Sequence, residues 1–211
     1  MRRKNKILFG VLVVSVAIII LLSNFYFLLY DKSFYVSEFS KYDLYIEKWD
    51  MFLDNMFDFF KGKAELNPYF NERETSHMDD VKDVIHGFVV ALQAALVVSL
   101  VFGFYLLKDK RKRRKTIVKL LIYSGGLAML ISVLFFVLSF KFEWLFVNFH
   151  SVFFKPGTWI FYEGDLLIKI FPQQFFVDFF SRVVFVNFII GEIMLIVGVI
   201  LLKFKNLLRL I

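Results

Sequence analysis

The chain has 211 residues, of which 59% are hydrophobic and 30 are Phe, an apolar load above that of soluble domains and suited to a lipid bilayer. It contains no Cys, which excludes disulfides, a thiolate nucleophile and a Cys-ligated metal. Its net charge of +7 could suggest nucleic acid, a reading that depends on where the charges lie.

The first element follows "MRRKNK" and is an apolar run over residues 7–29, long enough to cross about 30 Å of hydrocarbon. The run is longer than a signal-peptide core, and "LLSNFYFLLYDK" lacks a small-x-small cleavage site, so it is read as a retained first span. Residues 31–83 then carry thirteen acids against seven bases. Within them Leu44, Ile46, Trp49, Phe52, Leu53, Met56, Phe57 and Phe60 recur at helical spacing, predicting an amphipathic helix that ends near Gly62. "GKAELNPYF" reads as a turn and a short extended piece, because the residue before Pro68 avoids helix.

A second helix start follows at Asn71-x-x-Glu74 or at Ser76-x-x-Asp79, both with capping-box spacing. From either start the helix can run straight into a second span over 85–107. Residues 72–83 then stand about one to two turns above the bilayer. Two of the three histidines lie here, nine residues apart, so His77 and His86 point to opposite faces. "KDKRKRRK" leads to a third span, 117–140, where "YSGGLA" offers small residues for close helix packing.

Residues 141–181 are nearly as apolar as a span but are broken at Pro156-Gly157, Gly164 and Pro172, which predicts short helices and loops rich in interfacial aromatics. A fourth span, 182–202, holds Glu192 near its middle, and an intramembrane carboxyl is a functional candidate by default. A structural hydrogen bond, for instance to Gln93, is the plainer reading of it. "KFKNLLR" follows.

These elements predict an all-α membrane protein, one integral domain over 1–211 with spans at about 7–29, 85–107, 117–140 and 182–202 and an extracellular cap built from 31–83 and 141–181. With alternating spans, all three basic stretches fall on one side. Both termini are therefore expected to be cytoplasmic and the cap to face outward, in a multi-pass protein of the cell membrane. The positive charge is a topology signal, and no nucleic-acid partner is implied.

His150, in "NFHSVFF", sits among aromatics rather than on a charged face. It and His77 make a candidate general acid/base pair, since imidazole titrates near neutral pH. The bland alternatives are a solvated His77 near a helix start, a satisfied core His150 and an interfacial His86. No metal motif is present, nor a Gly-x-Ser-x-Gly elbow or a phosphate-binding glycine loop.

"NERETSHMDDVK", residues 71–82, together with "FHSVFFKPGTWIFYEGDLLIKIFPQQFF", residues 149–176, resembles the bacterial integral membrane family of the lipoprotein intramolecular transacylase. The resemblance implies a transferase whose substrate is a diacylglyceryl lipoprotein in the membrane. The sn-2 acyl chain would move to the amine of the lipidated cysteine, giving the lyso-form lipoprotein without a cofactor or metal. It implies acid/base roles for His77 and His150, one at the attacking amine and the other at the departing oxygen. Arg73, Glu74, Asp80, Lys82, Trp159 and Asp165 would support them or hold the substrate. Two other classes compete: a non-enzymatic assembly or partner subunit with a docking cap, and a transporter built around Glu192. The apolar setting of His150 favours catalysis.

Overall fold

The computed structural model describes residues 3–41, 49–66 and 69–207. Leu44, Ile46 and the Asn67-Pro68 pair lie outside the described residues, as does the side chain of Trp49. In chain order the helices are α1 (Arg3–Leu29), α2 (Lys32–Lys41), α3 (Trp49–Phe60), α4 (Glu72–Leu107), α5 (Lys110–Ser139), α6 (Phe142–Phe153), α7 (Leu166–Ile170) and α8 (Gln173–Leu207). There is no strand among the described residues. The helices α1, α4, α5 and α8 are long and apolar enough to cross a membrane. The 36 residues of α4 make a rod of about 54 Å, well beyond a hydrocarbon core of about 30 Å. Its polar turns, 72–84, therefore precede the apolar segment that begins at Ile85.

The chain forms two compact units. The first comprises Met1–Phe25, Val90–Val137 and Arg182–Ile211. Small residues let its helices approach closely. A Cβ on Gly125 of α5 would lie 2.5 Å from the Gly191 carbonyl oxygen of α8, and one on Gly198 would lie 2.7 Å from Ile122 Cγ1. This is the close packing expected of "YSGGLA", although its second glycine, Gly126, has nothing within 4 Å. The buried amide nitrogen of Asn187 is answered across helices: Nδ2 donates to the Ala128 carbonyl (3.1 Å) and to Ser132 Oγ (2.6 Å). The outer faces, with Leu100 and Phe104 exposed, are apolar. Among the described residues no hydrogen bond joins Glu192 to Gln93; Glu192 is half-buried and Gln93 is exposed. The candidate pairing of the two side chains is not formed.

The second unit comprises Tyr26–Val89 and Leu138–Ser181. Its first helix, α2, was not anticipated from the sequence. It begins where Asp31 ends the preceding apolar run, and Asp31 Oδ1 accepts the Ser33 N–H at 3.0 Å as an N-cap. Its buried face, Phe34, Tyr35 and Phe39, enters an aromatic cluster with Phe57, Phe171 and Phe175, with ring centroids 5.1–6.4 Å apart. The predicted amphipathic helix appears as α3, which buries Phe52, Leu53, Met56, Phe57, Phe59 and Phe60. It closes at Gly62, whose φ of 70° suits glycine. The predicted breaks at Pro156-Gly157 and Pro172 also occur: residues 154–165 carry no helix, and α8 starts directly after Pro172.

Candidate active site

All the candidate site residues belong to the second unit. The first turn of α4 fixes the geometry. Of the two possible starts, the helix uses Asn71, whose Oδ1 accepts the N–H groups of Arg73 and Glu74 at 3.0 Å each. Glu74 Oε2 returns the bond by accepting the Asn71 N–H at 2.8 Å, completing a capping box. The other oxygen, Oε1, accepts the N–H of Leu167 at 2.7 Å, in the first turn of α7. One carboxylate, 1% exposed, thus caps two helices. A buried charge is tolerated there because both oxygens are hydrogen-bonded.

One turn further, on the same side of α4, His77 is 6% exposed. Its ring stacks on that of His150 from α6, with centroids 5.9 Å apart and planes at 21°. His150 is 8% exposed. Its Nδ1 lies 2.7 Å from the Phe146 carbonyl one turn back on its own helix. A carbonyl only accepts, so Nδ1 carries the proton and Nε2 is left with a lone pair when the ring is neutral. His77 Nδ1 is buried and has no protein partner. Phe154 lies against both imidazoles at 4.9 and 4.8 Å, Phe161 meets His77 edge-on at 5.2 Å, and Trp159 covers His150 at 5.1 Å.

This apolar enclosure holds both rings neutral near pH 7. Burial pushes the His150 imidazole below the usual histidine range, partly offset by the Phe146 carbonyl. His77, ahead of the apolar segment of α4, is lowered first by burial and then by His150, with Asp80 opposing.

The other candidates divide. Asp80 is buried and holds Thr158 Oγ1 (3.0 Å) and Lys155 Nζ (3.2 Å). Asp165 accepts from Asn71 Nδ2 at 3.0 Å and from the Tyr162 N–H at 2.7 Å. Arg73 lies over the Tyr162 ring at 4.6 Å, with Nη1 3.9 Å from Asp165. Trp159 walls the pair, as described. Lys82 faces α3 instead, its ammonium 4.4 Å over the Phe59 ring. His86 Nε2 lies 3.1 Å from the Phe60 carbonyl, which it satisfies at the end of α3, so it serves that helix rather than the pair. Lys155, Thr158 and Phe161 went unremarked in the sequence. No spacing rule links Thr158 to a carboxylate 78 residues earlier. Among the described residues no group of three or more His, Asp or Glu side chains is placed to hold a metal.

Four helices able to span a membrane define a multi-pass membrane protein, and its second unit holds a buried imidazole pair among aromatic rings. Residues 6–176 match the model of the lipoprotein intramolecular transacylase Lit family, and the chain belongs to that family of acyltransferases. An uncharacterized protein of Aquifex aeolicus (strain VF5) is 31% identical over 136 residues, which is 64% of this chain and 59% of that relative's length. Among solved structures, the membrane-integral lipoprotein intramolecular transacylase Lit of Bacillus cereus superposes with a TM-score of 0.81 at 19% identity, over 98% of this chain and all of that one. A variant of it with one histidine replaced by arginine gives 0.79 at 20% identity, over 97% and 94%. At these identities the likeness is one of fold.

Proposed function

We propose that this chain is itself a lipoprotein intramolecular transacylase, moving the sn-2 acyl chain of a diacylglyceryl-cysteine lipoprotein onto the α-amine of the same cysteine. The observation that carries this reading is the buried, stacked His77–His150 pair with the His150 tautomer fixed by Phe146. Attack of that nitrogen on the ester carbonyl closes N, Cα, Cβ, S, two glycerol carbons, the ester oxygen and the carbonyl carbon into an eight-membered ring. Such a ring is entropically costly, and aromatic walls that restrict the substrate lower that cost.

The proton balance suits two neutral imidazoles. As the C–N bond forms, nitrogen becomes acidic and His150 Nε2 takes its proton. The resulting imidazolium returns that proton to the glycerol oxygen as the C–O bond breaks. His77 stays neutral and donates an N–H to the oxyanion, whose charge is greatest between the two steps. One proton leaves N and one reaches O, so no cofactor enters the balance.

The basic stretches support an orientation with both termini in the cytoplasm and the histidine pair in an extracellular cap. Exposed Trp144, Phe153 and Tyr162 support a placement of residues 141–181 at headgroup level, where an acylated substrate presents its polar part. In intact cells, a cysteine at Lys61 should react with an impermeant thiol reagent and one at Lys112 should not; the reverse pattern refutes the orientation. For the activity, the decisive measurement is mass spectrometry of a lipoprotein N-terminus from cells with and without the protein. An N-acyl cysteine with one remaining glycerol acyl chain should appear only with it. Identical spectra overturn the assignment and leave a non-catalytic partner subunit as the reading.

A further inference from the structure

Asp80 is three residues beyond His77, and its carboxylate reaches the turn at 155–158. Oδ2 accepts the Thr158 hydroxyl at 3.0 Å, a proton shared with the Lys155 carbonyl at 3.0 Å. The Thr158 N–H also points to the Lys155 carbonyl, at 3.3 Å, closing the turn on itself. Gly157, at φ 87°, gives the turn its shape. Asp80 Oδ1 lies 3.2 Å from Lys155 Nζ, but that lysine side chain is 77% exposed, so the ion pair is solvent-screened. The better shielded contact is therefore the part-buried one from Thr158 to Asp80, and the next residue is Trp159, whose ring covers His150 at 5.1 Å.

We propose that Asp80 is a positioning residue: it fastens the 155–158 turn to α4 and so seats Trp159 on His150, holding that imidazole toward its partner. One side of α4 then supplies His77 and also the anchor for the wall behind the opposite histidine. The inference rests on the acyl-transfer reading for its effect on rate, but the clasp itself is a structural claim. The competing role for Asp80 is electrostatic, its charge acting on the nearby His77.

Two substitutions separate these roles. Asp80→Asn removes the charge and keeps an oxygen that accepts from Thr158; Thr158→Val keeps the charge and removes the hydroxyl. If Asp80 works through the turn, Thr158→Val and Asp80→Ala lose kcat alike, on the order of 10²-fold, the scale of a small misplacement of reacting groups. Their double variant is no worse than either, Thr158→Ser restores the rate, and Asp80→Asn stays within about tenfold of native with an unmoved pH inflection. If instead Asp80→Asn loses as much as Asp80→Ala and shifts the pH inflection while Thr158→Val is native-like, the clasp is refuted. A readout independent of turnover is the emission of Trp159 in a Trp49→Phe, Trp144→Phe background. Thr158→Val and Asp80→Ala should shift it to the red and weaken its quenching on acidification of His150. Unchanged emission in Thr158→Val overturns the clasp alone, whereas absence of product from the native protein overturns the transfer reading alone.

Discussion

The two units satisfy buried polar groups by different means. In the first, helices touch backbone to backbone through Gly125, Gly191 and Gly198, and polar side chains such as Asn187 and Ser132 pair across helices. In the second, α2, α3 and α6 are held by rings, and buried charges are spent on backbone N–H groups and on a turn. Close backbone contact suits lipid, where apolar burial between helices gives little drive and small residues give dispersion contact. Ring packing with capped carboxylates builds an enclosure dry enough to keep two histidines neutral. Packing by small residues tolerates no added atoms; packing by caps tolerates no lost acceptor.

The largest expected break is chemical and confined to the second unit. Replacing His77 or His150 by Ala should lower product formation by about 10²–10⁴-fold in a folded, membrane-inserted protein. The double variant should be scarcely worse than a single one. Losses that multiply would refute a shared step. The pH–rate profile belongs to the same prediction. Both imidazole pKa values are lowered, so the base stays competent as pH falls past about 6.5, the ordinary histidine value. The enzyme's own inflection should lie below that, distinct from the substrate amine's, at about 7.7–8.0. The same sign governs stability: the folded state disfavours protonation, so stability is full above about 6.5 and declines as pH falls through the lowered values.

The next comparison is of stability, unit against unit. Glu74→Ala strands the buried Leu167 N–H, at about 1–3 kcal/mol, and also removes the acceptor of the more exposed Asn71 N–H, so it should lower the unfolding temperature in detergent clearly. Gly125→Ala adds a methyl where only 2.5 Å is open to the Gly191 carbonyl, which should cost about 1–3 kcal/mol. Gly126→Ala, with nothing within 4 Å, should be neutral or slightly stabilising, since Ala is the better helix former. Equal effects at 125 and 126 would show that the α5–α8 contact is not the tight one.

The membrane-spanning helices were legible because hydropathy over about twenty residues is a summed signal that local exceptions do not erase. The breaks at Pro156-Gly157 and Pro172 were legible because Pro and Gly act locally. Helix α2 was missed: it is ten residues long, and most of the rings that define its buried face, Phe171 and Phe175 among them, lie more than a hundred residues away. The start at Asn71 could not be separated from Ser76 by pattern alone, since both have the spacing and only the contact with Leu167 favours one. His77 and His150 were singled out by residue type and setting, then by resemblance; no periodicity brings residues 73 positions apart into a stack. Lys82 was grouped with them through the same resemblance, and its own position on α4 turns it toward Phe59 instead.

The shared carboxylate of Glu74 has a dynamic consequence. The amides of Asn71 and Leu167 depend on one acceptor group, so neither can be exposed to solvent without loosening the other's neighbourhood. In hydrogen–deuterium exchange the two should open as one cooperative event with a common protection factor, although 96 residues separate them. A single local unfolding step would then release α7 and the start of α4 together.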